Sequence, residues 1–88
     1  MNLPEVSSFF GIQVYINFSD HNPPHVHVFH GDYRALIDIR DASVLQGALP
    51  RRQLKLVLAW CEIHREELLE DWELVKNQQP PKRIDPLA

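Results

Sequence analysis

The stretch from residue 25 to residue 40 constrains the fold most, because two alternating segments flank a compact turn. Residues 25–30 (HVHVFH) and 33–40 (YRALIDIR) each alternate side chains in the manner of half-buried strands. Gly31 and Asp32 between them are typical of a two-residue hairpin loop. Such a loop fixes the register and brings the apolar faces of both strands together, whereas a slip of one residue mixes the faces. The predicted pairs are His25–Asp38, Val26–Ile37, His27–Leu36, Val28–Ala35, Phe29–Arg34 and His30–Tyr33.

Further strands are predicted on both sides of this hairpin. Residues 11–18 (GIQVYINF) alternate cleanly and predict a half-buried strand. Residues 42–48 (ASVLQGA) are either a short fourth strand or a loop, so the sheet has three to four antiparallel strands. Residues 1–8 contain a proline and mostly polar side chains and are predicted to be a lead-in without function.

The chain changes character after Pro50. Residues 51–77 contain no glycine or proline, and their apolar side chains recur at helical spacing. The stripe is interrupted at residues 64–67, which predicts either one long bent helix or two helices packed on one face of the sheet. Residues 78–88 are a proline-containing tail that frays unless Ile84 and Leu87 pin it to the body. The order predicts an α+β fold in a single domain over residues 1–88.

Composition excludes several classes of protein. No apolar run approaches the ~20 residues of a membrane span. The first twenty residues lack the basic start and apolar stretch of a secretory signal. Cys61 is the one cysteine, which excludes an internal disulfide and a zinc cage of thiolates. A net charge of −3 is unlike a basic nucleic-acid coat. We expect a soluble cytoplasmic protein with no membrane partner.

The chemistry of the chain is concentrated in residues 20–27 (DHNPPHVH). His25 and His27 are two residues apart on a predicted strand, so their side chains leave the same face roughly 6–7 Å apart. The two prolines make a stiff extended loop that holds Asp20 and His21 near the start of this strand. The pattern therefore predicts a site where imidazoles meet a further polar group.

One interpretation of this site is a divalent metal centre. His25 and His27, with His21 or Asp20, would bind zinc or another divalent metal and leave a coordination position open. Asp38, opposite His25 in the predicted register, would then orient a ligand imidazole.

A second interpretation uses no cofactor. One histidine of the pair His25 and His27 is then a general base and the other a general acid. Arg34 and Tyr15 would bind or polarise a phosphate on the same face. By analogy, this set is of the type found in small metal-independent ribonucleases.

A purely structural role is the third interpretation. Asp20 or Asn22 would cap the turn, and His21 would bond to the loop backbone where the prolines supply no donor. His30 lies on the core side next to the turn, which favours a structural role for it as well. Cys61 lies on the apolar helix stripe and is expected to be a small buried hydrophobe.

Taken together, several motifs resemble the small bacterial family catalogued as domain of unknown function 4160. They are DHNPPHVHV at 20–28, IDI at 37–39, G-x-L-P at 47–50, LVLAWCEIHREELLEDWEL at 56–74 and the closing IDPL at 84–87. The resemblance covers nearly the whole chain from Phe9 onward, and its D-H-x-P-P-H-x-H core is highly specific for a short motif. It implies candidate functional residues at Asp20, His21, Pro23, Pro24, His25 and His27.

The resemblance also implies a partner. Members of this family are often encoded beside a second small protein, commonly of the family named domain of unknown function 2442, and such pairs look like toxin–antitoxin modules. Our first hypothesis is therefore a toxin-like component that acts on RNA through a histidine-rich face and is silenced by its partner. That face consists of Tyr15, His25, His27, Arg34 and Asp38.

Two alternatives belong to other functional classes. One is a non-catalytic interaction or regulatory module, for which a homodimer through the apolar helix is a further expectation. The other is a small metal-binding protein with histidine ligands. Metal content separates the last from the others, and growth arrest on expression separates the toxin from the interaction module.

Overall fold

A computed structural model describes residues 4–18 and 20–87 of the chain. Five antiparallel strands form one sheet in the order β1-β2-β3-β4-β5, and two helices follow. The elements are β1 Glu5–Phe9, β2 Ile12–Tyr15, β3 His25–His30, β4 Tyr33–Asp38, β5 Ser43–Ala48, α1 Arg51–Ile63 and α2 Arg65–Lys76. The predicted α+β fold and the order of strands before helices are confirmed, but three to four strands was an undercount.

The additional strand is β1, which lies largely in the segment predicted as a lead-in. It pairs with β2, and its register shifts between Glu5 and Ser7, as at a β-bulge. Because of this irregularity, Val6 and Ser7 are neighbours in sequence and both fully buried. The alternation that identifies a half-buried strand is thereby lost from residues 5–9.

The central hairpin has the register expected from the sequence. All six predicted pairs, from His25–Asp38 to His30–Tyr33, are present between β3 and β4. Gly31 in the turn has φ +58°, a left-handed conformation that glycine adopts without strain. The predicted fourth strand is present as β5, and Gly47 within it approaches β4 so closely that a Cβ atom would lie 2.3 Å from the Arg34 carbonyl oxygen.

The helical region consists of two helices, separated at His64. Val57, Trp60 and Cys61 of α1 join the core side chains of the sheet, and the Trp60 ring lies 5.3 Å from that of Phe9. From α2 the buried apolar residues are Leu68, Trp72 and Val75. In the described ranges, neither helix has the length and apolar character needed to cross a membrane.

The segment after α2 is bound to the body of the protein. The Ile84 amide donates to the Val6 carbonyl at 2.8 Å, and the Ile84 side chain is 4% exposed. The Trp60 indole N–H donates to the Asp85 carbonyl at 2.8 Å. Ile84 therefore does pin the tail, which runs along the edge of β1 that β2 leaves free.

Candidate functional site

Three side chains of the motif converge at the start of β3. The Oδ2 atom of Asp20 lies 2.7 Å from Nε2 of His27 and 3.2 Å from Nε2 of His25. Each residue offers one ligand atom, and all three atoms lie within 4.8 Å of one another. The histidines come from alternate positions of a paired strand, and Asp20 comes from the loop before it. We call these three residues the Asp-His-His cluster.

The hydrogen bonds of His25 determine where its lone pair points. Nδ1 of His25 lies 2.8 Å from the Pro23 carbonyl, which only accepts, so Nδ1 carries a proton and donates it. In a neutral imidazole the other nitrogen, Nε2, then has a lone pair rather than a proton. This lone pair faces the carboxylate of Asp20 at 3.2 Å. Two acceptors face each other there, and a proton or a cation between them would relieve the repulsion.

His27 makes the complementary contact. Its Nε2–H donates to Asp20 at 2.7 Å, which leaves Nδ1 of His27 without a hydrogen-bond partner in the described part of the chain. The carboxylate fixes the orientation of the ring. Asp20 thus serves both histidines, as a hydrogen-bond acceptor for one and as a facing negative charge for the other.

The cluster is well shielded from solvent. The side chains of His25, His27 and Asp20 are 10%, 20% and 15% exposed. The His25 ring lies 5.5 Å from the ring of Trp72 on α2, which packs against it. Electrostatic interactions in such surroundings are stronger than in water, and burying an unpaired carboxylate is costly. A positive partner for Asp20 is therefore favoured.

A cavity of about 320 Å³ on the sheet face adjoins the cluster. Its lining includes His27, Arg34 and Gln46, together with the apolar side chains of Phe29 and Leu36. Arg34 is exposed and forms no ion pair with the described residues. The cavity thus offers one uncompensated guanidinium, an imidazole and an apolar wall.

Tyr15 stands at the margin of the same face. It pairs with His27 across β2 and β3, and its ring meets Phe29 edge-on at 5.5 Å. The structure therefore places Tyr15, His27 and Arg34 together on one face, as the sequence predicted.

Other predicted site residues are not part of the cluster. Asp38 pairs with His25 in register, but its Oδ1 atom accepts the amides of Arg40 and Asp41 at 2.8 and 3.0 Å. That carboxylate caps a turn and contacts no histidine among the described residues. His21 is exposed and does not join the cluster, where Asp20 contributes the third ligand atom.

The two prolines and His30 have structural positions. Pro23 supplies the carbonyl that His25 binds, and the Pro24 carbonyl accepts the Ile39 amide at 3.0 Å. Nδ1 of His30 donates to the Gly11 carbonyl at 2.9 Å. This bond joins the β3–β4 turn to the β1–β2 turn.

Two neighbours of the site were not named from the sequence. One is Trp72, since nothing in the helical pattern indicates that its ring meets His25. Gln46 on β5 enters the cavity because Leu36 of β4 pairs with it. The sequence did not predict this position of Gln46, because a register shift interrupts the pairing of β5 with β4 and alternation alone does not show it.

Comparison with protein families gives a match that covers the site. The model of the family described as domain of unknown function 4160 matches residues 11–73, a range that includes the Asp-His-His cluster and the cavity. No curated protein matches the chain, and no solved structure matches it.

Proposed function

The chain belongs to the domain of unknown function 4160 family, whose description names no activity, and from its site we propose that the protein binds a divalent cation of the zinc type. Asp20, His25 and His27 are the protein ligands. His27 would bind through Nε2, with its ring proton carried instead by Nδ1, which has no hydrogen-bond partner in the described part of the chain. The remaining coordination position would be open to water or substrate. A set of two imidazoles and one carboxylate is typical of catalytic rather than structural zinc sites.

The observation that carries this proposal is that the Nε2 lone pair of His25 faces the carboxylate of Asp20. Its Nδ1–H is bound to the Pro23 carbonyl at 2.8 Å, so Nε2 is presented as a ligand atom toward Asp20. Histidines that bind metals usually donate their other ring N–H in this way, often to a backbone carbonyl. A cation between Nε2 and the carboxylate would convert a repulsive contact into two favourable ones.

The distances fit a small cation. At metal–ligand distances near 2.0–2.1 Å, tetrahedral ligand atoms lie about 3.3 Å apart. The separation between His25 and Asp20 is 3.2 Å, and that between His27 and Asp20 is 2.7 Å. Asp20 belongs to the loop rather than the sheet, so a shift of about 0.6 Å at its side chain would bring its distance from His27 to this value. The two imidazole nitrogens lie within 4.8 Å of each other.

A bound cation would act beside the cavity that His27 shares with Arg34. Zinc lowers the pKa of a bound water and polarises carbonyl or phosphoryl oxygens. The guanidinium of Arg34 is placed to hold an anionic group of a substrate in the same cavity. The proposal is therefore a metal-assisted hydrolytic site for an anionic substrate.

Equilibrium dialysis against zinc, followed by elemental analysis, tests the proposal. We expect about one ion per chain for the unmodified protein, and a loss of at least about tenfold in affinity for Asp20→Asn and His27→Gln. His21→Ala is the matched control, because His21 is exposed on the same loop and outside the cluster. Cobalt provides an optical check, since its visible spectrum distinguishes four ligands from six.

The contacts of Trp72 and His25 supply a second measurement. Because the two rings lie 5.5 Å apart, binding at His25 is expected to change the fluorescence of Trp72, while Trp72→Phe removes that change and keeps the stoichiometry. Zinc binding that survives Asp20→Asn and disappears in His21→Ala would refute the proposed ligand set.

A second candidate function uses the same residues without a metal. The observation that favours it is the free Nδ1 of His27, whose ring is held by Asp20 and lines the cavity with Arg34. In this arrangement His27 is a general base, and Arg34 with Tyr15 binds the phosphate of an RNA backbone. The protein would then be the toxin-type component of a two-gene module, silenced by a small partner protein.

Growth after induced expression, followed by mapping of RNA ends, tests this candidate. Arrest by the unmodified protein, relief in folded His27→Ala and Arg34→Gln, and RNA cleavage that persists in a chelator would favour the metal-free toxin. Cleavage that stops in the chelator and returns with zinc would favour the metal site. Absence of arrest and of zinc binding would leave a non-catalytic interaction module, and capture of the partner would then be the next experiment.

A further inference from the structure

We propose that the outer edge of β5 is a self-pairing surface, through which two copies of the chain form one continuous ten-stranded antiparallel sheet. This inference concerns assembly and does not depend on the chemistry of the Asp-His-His cluster. It rests on the contrast between the two edges of the sheet, on the side chains of β5, and on the charges at its two ends.

One edge of the sheet is covered by the C-terminal segment, and the other edge has no partner among the described residues. At the β1 edge, the Ile84 amide bonds to Val6, and the Arg83 guanidinium bonds to Glu5 at 2.8 Å. At the other edge, β5 pairs with β4 on one side, and no described residue pairs with it on the other. An unpaired edge presents a row of free backbone N–H and C=O groups that readily accept another strand.

The side chains of β5 do not protect this edge. All six of its residues, SVLQGA, are exposed, and none of them is charged or a proline. Lysine, inward-facing charges, proline and β-bulges are the usual devices that prevent pairing between edges. Of these, the described strand shows a register shift at Leu45, on the side that pairs with β4. Val44 and Leu45 are 39% and 45% exposed, and they lie within the strand itself. On the helices, Ile63 is the large apolar side chain that is strongly exposed within the described ranges. A surface for association is therefore better developed at β5 than on the apolar helix.

The charges that flank β5 favour a second copy as its partner. Residues 38–41 precede the strand with two aspartates and Arg40, a formal net charge of −1, and Arg51 and Arg52 follow it with a charge of +2. Arg40, Asp41, Arg51 and Arg52 are exposed and form no ion pair among the described residues. Two identical strands that pair antiparallel about a two-fold axis place the start of one beside the end of the other. Asp41 of each copy then lies at the end that carries Arg51 and Arg52 of the other copy. Opposite charges thus meet at both ends of the interface, and the uncharged strand lies in its centre.

The geometry also relates the two sites. A two-fold axis that pairs adjacent antiparallel strands stands perpendicular to the sheet, so the same face of both copies points the same way. Gln46 and Gly47 of β5 line the cavity, so the two cavities would lie on one face, on either side of the shared edge. The dimer would present a single surface with two copies of His27 and Arg34.

Sedimentation equilibrium over a range of protein concentrations tests the proposal on the full chain. We expect association to twice the chain mass of 10.3 kDa. Leu45→Lys places two like charges near the axis and is expected to raise the dimer Kd by about tenfold or more. Ile63→Lys is the control, because it makes the same change at an exposed apolar side chain on α1, which is 65% accessible against 45% for Leu45. Circular dichroism of both variants verifies that they fold.

Exchanging the charges at the two ends of β5 distinguishes a specific interface from nonspecific association. Asp41→Arg alone is expected to weaken the dimer, and Asp41→Arg combined with Arg51→Asp and Arg52→Asp is expected to restore it. A protein that is monomeric at every concentration would overturn the proposal. So would a dimer that Ile63→Lys dissociates and Leu45→Lys does not, since that result assigns association to the helices.

Discussion

The buried carboxyl group of Asp71 makes the stability of this protein depend on pH in an unusual direction. Asp71 lies on α2 and is 1% exposed. Its Oδ1 atom accepts the Lys82 amide at 2.8 Å, while Oδ2 has no partner among the described residues. Burial raises the pKa of Asp71 from 3.8 to about 6; the hydrogen bond from Lys82 opposes this rise, and the charges of Glu70 and Glu67 add to it. The folded protein therefore prefers the neutral carboxyl.

The sign follows from linkage between protonation and folding. The folded pKa lies above the unfolded one, so between about pH 3.8 and pH 6 the folded state binds more protons. The contribution of Asp71 to the free energy of unfolding therefore falls as the pH rises through that window. Between about pH 4 and pH 8 the loss amounts to about 2–3 kcal/mol, because the pKa of Asp71 is raised by about two units and each unit corresponds to about 1.4 kcal/mol.

Asp71→Asn isolates this contribution. The amide keeps the acceptor for Lys82 and removes the ionisation, although its buried NH₂ group adds a cost that does not vary with pH. We therefore compare the effect of the substitution at two pH values rather than at one. Urea unfolding at about pH 4 and pH 8, followed by far-UV circular dichroism, gives the four free energies. The free energy of unfolding of the variant, relative to that of the unmodified protein, should rise by about 2–3 kcal/mol between the acid and the alkaline condition.

Glu73→Gln provides the control, because Glu73 is an exposed carboxylate on the same helix. Its substitution should change the free energy of unfolding by nearly the same amount at both pH values. A pH-dependent gain for Asp71→Asn below about 1 kcal/mol, or one of opposite sign, would show that the buried carboxyl is not the source of the effect.

Three further predictions concern packing. Gly47→Ala should lower the free energy of unfolding by about 2–4 kcal/mol, because Gly47 has φ +84° and an added Cβ would lie 2.3 Å from a backbone oxygen. The control is Gly31→Ala, at φ +58° in open space, which should lower the free energy of unfolding by only about 1–2 kcal/mol. Equal losses for the two variants in urea unfolding would contradict the steric explanation. Burial raises the pKa of the Cys61 thiol to about 12, so a disulfide reagent should label it in the native protein no faster than the chain unfolds. Trp60→Phe removes the hydrogen bond to the Asp85 carbonyl and should lower the free energy of unfolding by about 1–3 kcal/mol. Proteolysis of the C-terminal segment should become faster. Unchanged proteolysis would mean that other contacts hold this segment.

The parts of the fold that were predicted are those where two independent rules agree. In the hairpin, the turn residues and the alternation of both strands select the same register, and a shift of one residue breaks both. The interruption of the apolar stripe at residues 64–67 indicated a change in the helical region, but it predicted one bent helix and two helices equally, and the structure has two. In β1 the bulge beside Ser7 removes the alternation, so no sequence rule indicated a strand there.

The site was predicted to a similar extent. The spacing of His25 and His27 places both rings on one face wherever the strand forms. The direction of loop side chains has no such periodicity, which is why Asp20 rather than His21 completes the cluster. Asp38 was placed opposite His25 correctly, but pairing of Cα atoms does not determine which groups a carboxylate binds, and the nearby amides of Arg40 and Asp41 occupy it.

The contact between the tail and β1 has a consequence for the order in which the protein folds during synthesis. Arg83 and Glu5 are 78 residues apart in sequence, and Ile84 buries its side chain in the same region. On a translating ribosome the β2–β5 meander can form as soon as it emerges, since neighbouring strands are adjacent in the chain. The outer edge of β1, which β2 does not cover, stays open until residues 82–85 have left the exit tunnel. Native topology thus makes the outer edge of β1 the last part of the sheet to be protected, and slow long-range closure completes the fold.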